Sequence, residues 1–271
     1  MTLQFYKYSA HGNDFIVIDN RNHTIQNNNN KLFHTLCQRR TSIGADGVIL
    51  INTDKLDFTA HFFNAEGLPA LMCGNGARAA VDFNRRLGII TTKGRFWVTG
   101  NVHDAEIRNN YLIGVEIHHK SLNITKHQLM FQGNEYDGFF CDTGVPHLVF
   151  INANITVEQT LDFARMVRNA PEFAPVGVNV NFVHISDAHN ISIKTYEKGV
   201  EDFTLSCGTG AVAAVCAGRK EAWIHLPVNV HSEGGMLRVT EGNNPNSLWI
   251  WGTVEKVYSG IIDKLTMNNE K

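Results

Sequence analysis

Cys73-Gly74-Asn75-Gly76-Ala77-Arg78-Ala79-Ala80-Val81 returns downstream as Cys207-Gly208-Thr209-Gly210-Ala211-Val212-Ala213-Ala214-Val215. The two nonamers agree at seven of nine positions, and Cys73 and Cys207 stand 134 residues apart in a chain of 271. Other landmarks keep nearly the same offset. Gly12 and Gly144 are 132 apart, Gly44 and Gly177 are 133 apart, and Gly67 and Gly199 are 132 apart. Four landmarks sharing one spacing indicate an internal duplication. The chain is therefore expected to consist of two similar halves, each contributing one thiol.

Outward from Cys73, Ala77, Ala80, Val81, Phe83 and Leu87 follow helical spacing, and Gly88 is a natural stop. Upstream, residues 3–8, 14–19, 48–51 and 58–64 read as strands, with a helix after Asn30 that presents Leu32, Phe33, Leu36 and Cys37 on one face. Residues 89–118 alternate like strands, with turns at 99–101 and 109–110. Residues 119–138 are polar and irregular, and a junction is expected near 119–125.

The second half restates this order. A strand covers 148–151, and Thr156 and Gln159 form a capping box for a helix with Val157, Leu161 and Ala164 on one face. A strand follows at 181–185. A helix over 207–224 carries Val212, Val215, Cys216 and Trp223, and strands at 228–231, 235–240 and 247–257 close the chain. The expected class is α+β, with two pseudo-symmetric domains whose strands surround one apolar helix. The division expected is 1–120, carrying Cys73, and 121–271, carrying Cys207, with the C-terminal tail a candidate to pack back onto the first half.

Composition narrows the function. Hydrophobic residues make up 43% and charged residues 18%, and the net charge is −2. No basic block invites nucleic acid or an anionic membrane, and no stretch reaches the ~18 apolar residues of a membrane span. The first residues lack the pattern of a signal peptide. Thirteen histidines occur without metal-ligand pairing, so no metal is expected. Five cysteines, Cys37, Cys73, Cys141, Cys207 and Cys216, form an irregular odd set that suits a reducing cytoplasm. Cys37, Cys141 and Cys216 lack the glycine context and read as structural.

Cys73 and Cys207 each precede a helix, where unpaired N–H groups favour a thiolate. Glycines at 74, 76, 208 and 210 would let a carboxylate approach those N–H groups. Two such helix starts facing each other would put one sulfur on each face of a substrate α-carbon. One thiolate would remove the proton and the opposite thiol would return one, with the N–H groups holding the developing charge. Two other readings stand beside this one: a structural disulfide between the halves, and small buried cysteines at tight helix starts.

The motifs Ser9–Phe15, Phe63–Gly67, Met72–Arg78, Gly144–His147, Gly177–Asn179 and Tyr196–Gly199 through Ser206–Gly210 together resemble diaminopimelate epimerases, in order and over nearly the whole chain. The resemblance implies two strand-rich barrels, each around a central helix, and a cofactor-independent epimerase acting between LL- and meso-diaminopimelate in lysine and cell-wall synthesis. It implies Cys73 and Cys207 as the acid/base pair. Backbone groups of Gly74, Asn75, Gly208 and Thr209 would hold the reacting carboxylate. Asn13, Asn64, Asn179, Glu197 and Lys198 would line the rest of the substrate site, with His147 near the cysteine pair. The implied partner is a small amino acid, and the implied assembly is a homodimer.

Four positions depart from the family pattern. Lys198 stands where Arg is usual, Val145 where many members carry Asn, Gly47 where some carry Gln, and Phe203 where an acidic residue is common. All four are expected around the substrate pocket. Lysine does not reproduce the two-pronged grip of arginine on a carboxylate. The alternatives are thus a racemase of another amino acid and a non-catalytic amino-acid-binding protein on the same fold. The intact cysteine pair weighs against the second of these.

Overall fold

The structure, a computed structural model, describes residues 2–53, 55–109, 111–118 and 124–263. The chain divides into two compact units. The described residues of Met1–Val115 and Gly252–Lys271 form the first, and Glu116–Trp251 form the second.

The first unit contains β1 (Leu3–Ala10), β2 (Asn13–Asp19), α1 (Asn30–Cys37), β3 (Gly47–Asn52), β4 (Phe58–Asn64), α2 (Gly74–Arg86), β5 (Lys93–Val98), β6 (Asn101–Arg108) and the start of β7 (Leu112–His118). Strand β2 runs antiparallel to β1 and parallel to β3, and β3 runs antiparallel to β4. Strand β4 then runs parallel to β5. Each parallel step needs a crossover. Helix α1 makes the first crossover and α2 the second.

Alternation along the strands gives each helix its own face. Ile16, Ile18, Val48 and Leu50 join Leu32, Phe33 and Leu36 of α1 in one core. The opposite face, including Phe15 and Ile49, packs on α2. Every residue of α2 from Gly74 to Asn84 is buried. Arg85 and Arg86 end the helix and both pair with buried Asp82, at 2.8 and 2.6 Å.

The second unit repeats this plan. It comprises β8 (Thr125–Phe131), β9 (Asn134–Asp142), β10 (Pro146–Ile151), α3 (Val157–Arg168), β11 (Asn179–Asp187), β12 (Asn190–Glu197), β13 (Asp202–Thr204), α4 (Gly208–Lys220), β14 (Val228–Ser232), β15 (Gly235–Glu241) and most of β16 (Ser247–Thr253). Strand β10 is parallel to β11 through α3, and β12 is parallel to β14 through α4. Leu148, Phe150, Val180 and Tyr196 pack with Phe163, Ala164 and Val167 of α3. Helix α4 is buried at ten of its thirteen residues. The class is α+β and rich in strands, with one buried helix at the centre of each unit.

Several expectations need correction. The chain leaves the first unit at Val115 and returns to it from Gly252, because β17 (Glu255–Ile262) hydrogen-bonds along β1. The tail pairs with β1 of the first unit, the candidate arrangement for it, so the second unit ends at Trp251 and not at 271. Residues 119–123 of the expected junction lie outside the described residues, as do Asn110 and the side chain of Val157. The stretch read as irregular contains the β8–β9 hairpin, turned by Gln132 and Gly133 at positive φ. Its strands are largely exposed, so their alternation is faint. The helix expected to reach 224 stops at Lys220, and Trp223 is 46% exposed, off the apolar face. Strand 247–257 breaks into β16 and β17 at Val254. Among the described residues no helix is long and apolar enough to cross a membrane.

Candidate functional site

In the first unit Cys73 is the N-cap of α2, with extended backbone and no side-chain cap hydrogen bond. Its carbonyl accepts the first helical bond, from Ala77 N–H at 2.8 Å. Its thiol is half-buried beside the unpaired amides of the first turn.

A directed polar chain lies beneath it. Arg78 and Asn75 are both fully buried. Arginine can only donate, so Arg78 Nη2 donates to Asn75 Oδ1 and also meets His11 Nδ1 at 3.3 Å. Asn75 Nδ2 must then donate to Asn13 Oδ1, at 2.7 Å, and Asn13 Nδ2 to Asp46 Oδ2, at 3.2 Å. Burial pushes the Arg78 guanidinium down to about 10, while negative charge on Cys73 favours its proton. Asp14 anchors the far side through Lys7 at 2.6 Å and Arg39 at 2.7 Å. Burial raises the Asp14 carboxyl, but the bonds from Arg39 and Lys7 outweigh it and hold it low. The strand register Phe15–Gly47–Asn64 puts Asn13 and Asn64 at the same end of the sheet. Asn64 does not join the chain: its Oδ1 accepts Leu68 N–H at 2.9 Å and closes its own turn.

In the second unit Cys207 is the N-cap of α4, and its sulfur accepts from Gly210 N–H at 3.4 Å. Thr209 Oγ1 lies 3.4 Å from that sulfur and 3.1 Å from His147 Nε2. His147 Nδ1 meets Asn181 Nδ2 at 3.0 Å, and Asn181 Oδ1 accepts from Thr195 Oγ1 at 3.0 Å. His147, Asn181 and Thr195 are buried. Burial drives the His147 pKa down to about 3; the Asn181 contact opposes this and Lys198 adds to it. The imidazole is therefore neutral at physiological pH. Asn179 Oδ1 accepts Lys198 N–H at 2.7 Å, and Glu197 Oε1 accepts from Thr204 Oγ1 at 2.5 Å.

A family model for diaminopimelate epimerase matches residues 5–110 and 139–257. The diaminopimelate epimerase of Flavobacterium psychrophilum is 37% identical over 252 residues, which covers 91% of this chain and 93% of that protein. The chain belongs to the diaminopimelate epimerase family. It is thus an isomerase, and the β8–β9 hairpin falls largely in the segment between the two matched regions. The Aquifex aeolicus diaminopimelate epimerase is 36% identical over 271 residues, covering 95% of this chain and 97% of that protein. A crystal structure of a hydroxyproline epimerase from Agrobacterium vitis shares the fold at TM-score 0.74 and 12% identity, over 96% of this chain and 92% of that one.

Within this family member, several of the positions read from the sequence have local packing reasons. The second glycine of each cysteine motif has a packing reason of its own. A Cβ at Gly76 would lie 2.6 Å from the Phe62 ring, and one at Gly210 would lie 2.5 Å from Asn181 Oδ1. Phe203 does not face the cysteine helix. It packs edge-on to Tyr196, with ring centroids 5.6 Å apart, against the α3 core. Gly47 also has a local reason, since a Cβ there would come within 2.4 Å of the Phe63 carbonyl oxygen.

Arg78, Asn181, Thr195 and Thr204 were not singled out by the sequence. A signal existed for Asn181, a polar residue between Val180 and Phe182 in β11. Cys141 and Cys216 are buried and share a thiol hydrogen bond, which with burial raises Cys141. Burial likewise pushes Cys37 up to about 11. Cys37 and Cys141 are poor thiolates, as a structural role requires.

Proposed function

We propose that the protein is a cofactor-independent diaminopimelate epimerase that inverts one α-carbon with Cys73 and Cys207 as its acid/base pair. The observation that carries this is the placement of the two cysteines. Each is the N-cap of the buried central helix in its unit, at equivalent positions of a duplicated plan. Binding alone gives no reason to duplicate a thiol at a helix start.

The reaction follows from this chemistry. One cysteine, as thiolate, takes the α-proton, and the released electron pair moves into the substrate carboxylate. The backbone N–H groups of Gly74, Asn75, Gly208 and Thr209 stabilise that charge where it develops. The other cysteine, as thiol, delivers its proton to the opposite face. The two sulfurs have then exchanged protonation states. Asn13, Asn64 and Asn179 suit the amine and carboxylate ends of the substrate, since an amide both donates and accepts. Glu197 suits an ammonium group, and Lys198 the distal carboxylate. His147 supports the Cys207 side through Thr209. The assembly we expect is a homodimer in the cytoplasm.

Lys198 favours a second reading, a racemase of another amino acid, because lysine holds a carboxylate as a point charge and not as a fork. Chromatographic separation of LL- and meso-isomers after incubation distinguishes the two. Interconversion of diaminopimelate supports the first reading. Racemisation of a different amino acid, with diaminopimelate unchanged, selects the second.

A further inference from the structure

The duplicated sheets differ at three equivalent positions. Under Gly76 the structure packs Phe15, Ile49 and Phe62, all apolar. Ile49 pairs across the strands with Phe62, and Val17 pairs with Ile49. In the second unit Asn181 pairs with Thr195, and Val149 pairs with Asn181. Asn181 thus replaces Ile49, Thr195 replaces Phe62, and His147, two residues before Val149, replaces Phe15. The apolar layer beneath one cysteine helix is a hydrogen-bonded polar layer beneath the other.

We propose that Asn181 and Thr195 are positioning residues that fix His147 as its Nε2–H tautomer, turn the Thr209 hydroxyl proton onto Cys207, and so favour the Cys207 thiolate. The direction of each bond follows from its neighbours. The Asn181 atom facing His147 also lies 3.4 Å from the Leu148 carbonyl oxygen, which can only accept, so that atom is the amide nitrogen. Asn181 Oδ1 then takes the Thr195 hydroxyl proton. A donor at Nδ1 leaves the ring proton on Nε2. Nε2–H donates to Thr209 Oγ1, so the Thr209 proton is directed to the sulfur. Gly210 N–H supplies a second donor to the same sulfur. Gly210 is glycine because Asn181 Oδ1 occupies the space of a Cβ. The charged side chain that bears on His147 is Lys198, which also opposes ring protonation.

This deepens the two-thiol reading and rests on Cys207 being one of its thiols, so the test is run without substrate. Long-range 1H–15N correlation on histidine-labelled protein, with His147 assigned by its loss in His147→Gln, reads the tautomer directly. The expected ring has a bare Nδ1, a protonated Nε2 and no titration near neutral pH. In Asn181→Asp the carboxylate accepts, so the proton should move to Nδ1. Iodoacetamide labelling at neutral pH with peptide mapping reads the thiols. Loss of one hydrogen bond to a charged sulfur should slow Cys207 about tenfold in Asn181→Asp and less in Thr195→Val, with Cys73 unchanged. A proton on Nδ1 in the unaltered protein would overturn the proposal even where no variant folds. Equal Cys207 labelling in both variants and the parent would also overturn it. Absence of epimerase activity would leave both readouts intact and count only against the reaction.

Discussion

Asn181 and Ile49 occupy the same place in the two units, each beneath the second glycine of its cysteine motif and each paired across to an equivalent residue, Thr195 or Phe62. The repeat conserved the backbone plan and the helix start but exchanged an apolar contact for a polar one. The nonamers themselves differ only at Asn75/Thr209 and Arg78/Val212. Asn75, Arg78 and Thr209 carry the polar chains around the two sulfurs. The two units thus present the same thiol in different polar surroundings.

Gly210→Ala should overpack the start of α4, because its Cβ meets Asn181 Oδ1 from a buried strand. We expect a loss of about 1–3 kcal/mol in stability by thermal or denaturant unfolding. We also expect a fall in activity larger than for an exposed control such as Glu135→Ala in the β8–β9 hairpin.

Arg78→Met should keep the volume of the buried side chain and remove its donors. Asn75 Oδ1 would lose its partner, and the Asn75–Asn13 orientation would no longer be fixed. An unsatisfied buried acceptor costs about 1–3 kcal/mol. The expected result is a kcat/KM reduced by roughly tenfold or more, at the corresponding conversion of that energy. Unchanged kinetics would remove Arg78 from the site.

His147 gives a pH signature. Its folded pKa lies near 3, below its ordinary 6.5, through burial. The unfolded chain binds the proton first, so the neutral ring contributes stability that is complete above pH 6.5 and lost as the pH falls toward 3. His147→Asn should flatten the fall in unfolding free energy between neutral pH and about pH 4 by about 2–3 kcal/mol. A parallel fall in parent and variant would mean that the ring is protonated when folded.

Lys198→Arg should tighten binding of diaminopimelate, lowering KM severalfold with little change in kcat, since a bidentate grip adds a charge-assisted bond. A rise in KM would place the distal carboxylate elsewhere.

Much of this was legible in the sequence. The repeated Cys-Gly-x-Gly-Ala motif fixed the two buried helices, and the common offset fixed the strands around them. Boundaries failed where burial was weak. The β8–β9 hairpin is largely exposed and shows little alternation, and β17 joins the first unit through a long-range pairing that local pattern does not encode. Asn181 and Thr195 were missed because a polar residue inside a strand gains its meaning only from the cross-strand register and from Gly210 above it. Asn64 and Asn179 were found by motif, yet each spends its side-chain oxygen on its own neighbourhood.

Peroxide offers a test of the two thiols. If both reach one substrate carbon, mild oxidation should join Cys73 to Cys207 and inactivate the protein, with dithiothreitol restoring activity. Peptide mapping that finds both thiols unlinked in inactivated protein would contradict this.

The central claim is tested most directly by incubating the reduced protein with LL-diaminopimelate in heavy water and following α-deuterium by mass spectrometry. The account predicts deuterium at one α-carbon, appearing with the meso isomer and abolished by Cys73→Ala and by Cys207→Ala. Deuterium incorporation that persists in both alanine variants, or its absence in the intact protein under reducing conditions, would contradict the two-thiol reaction.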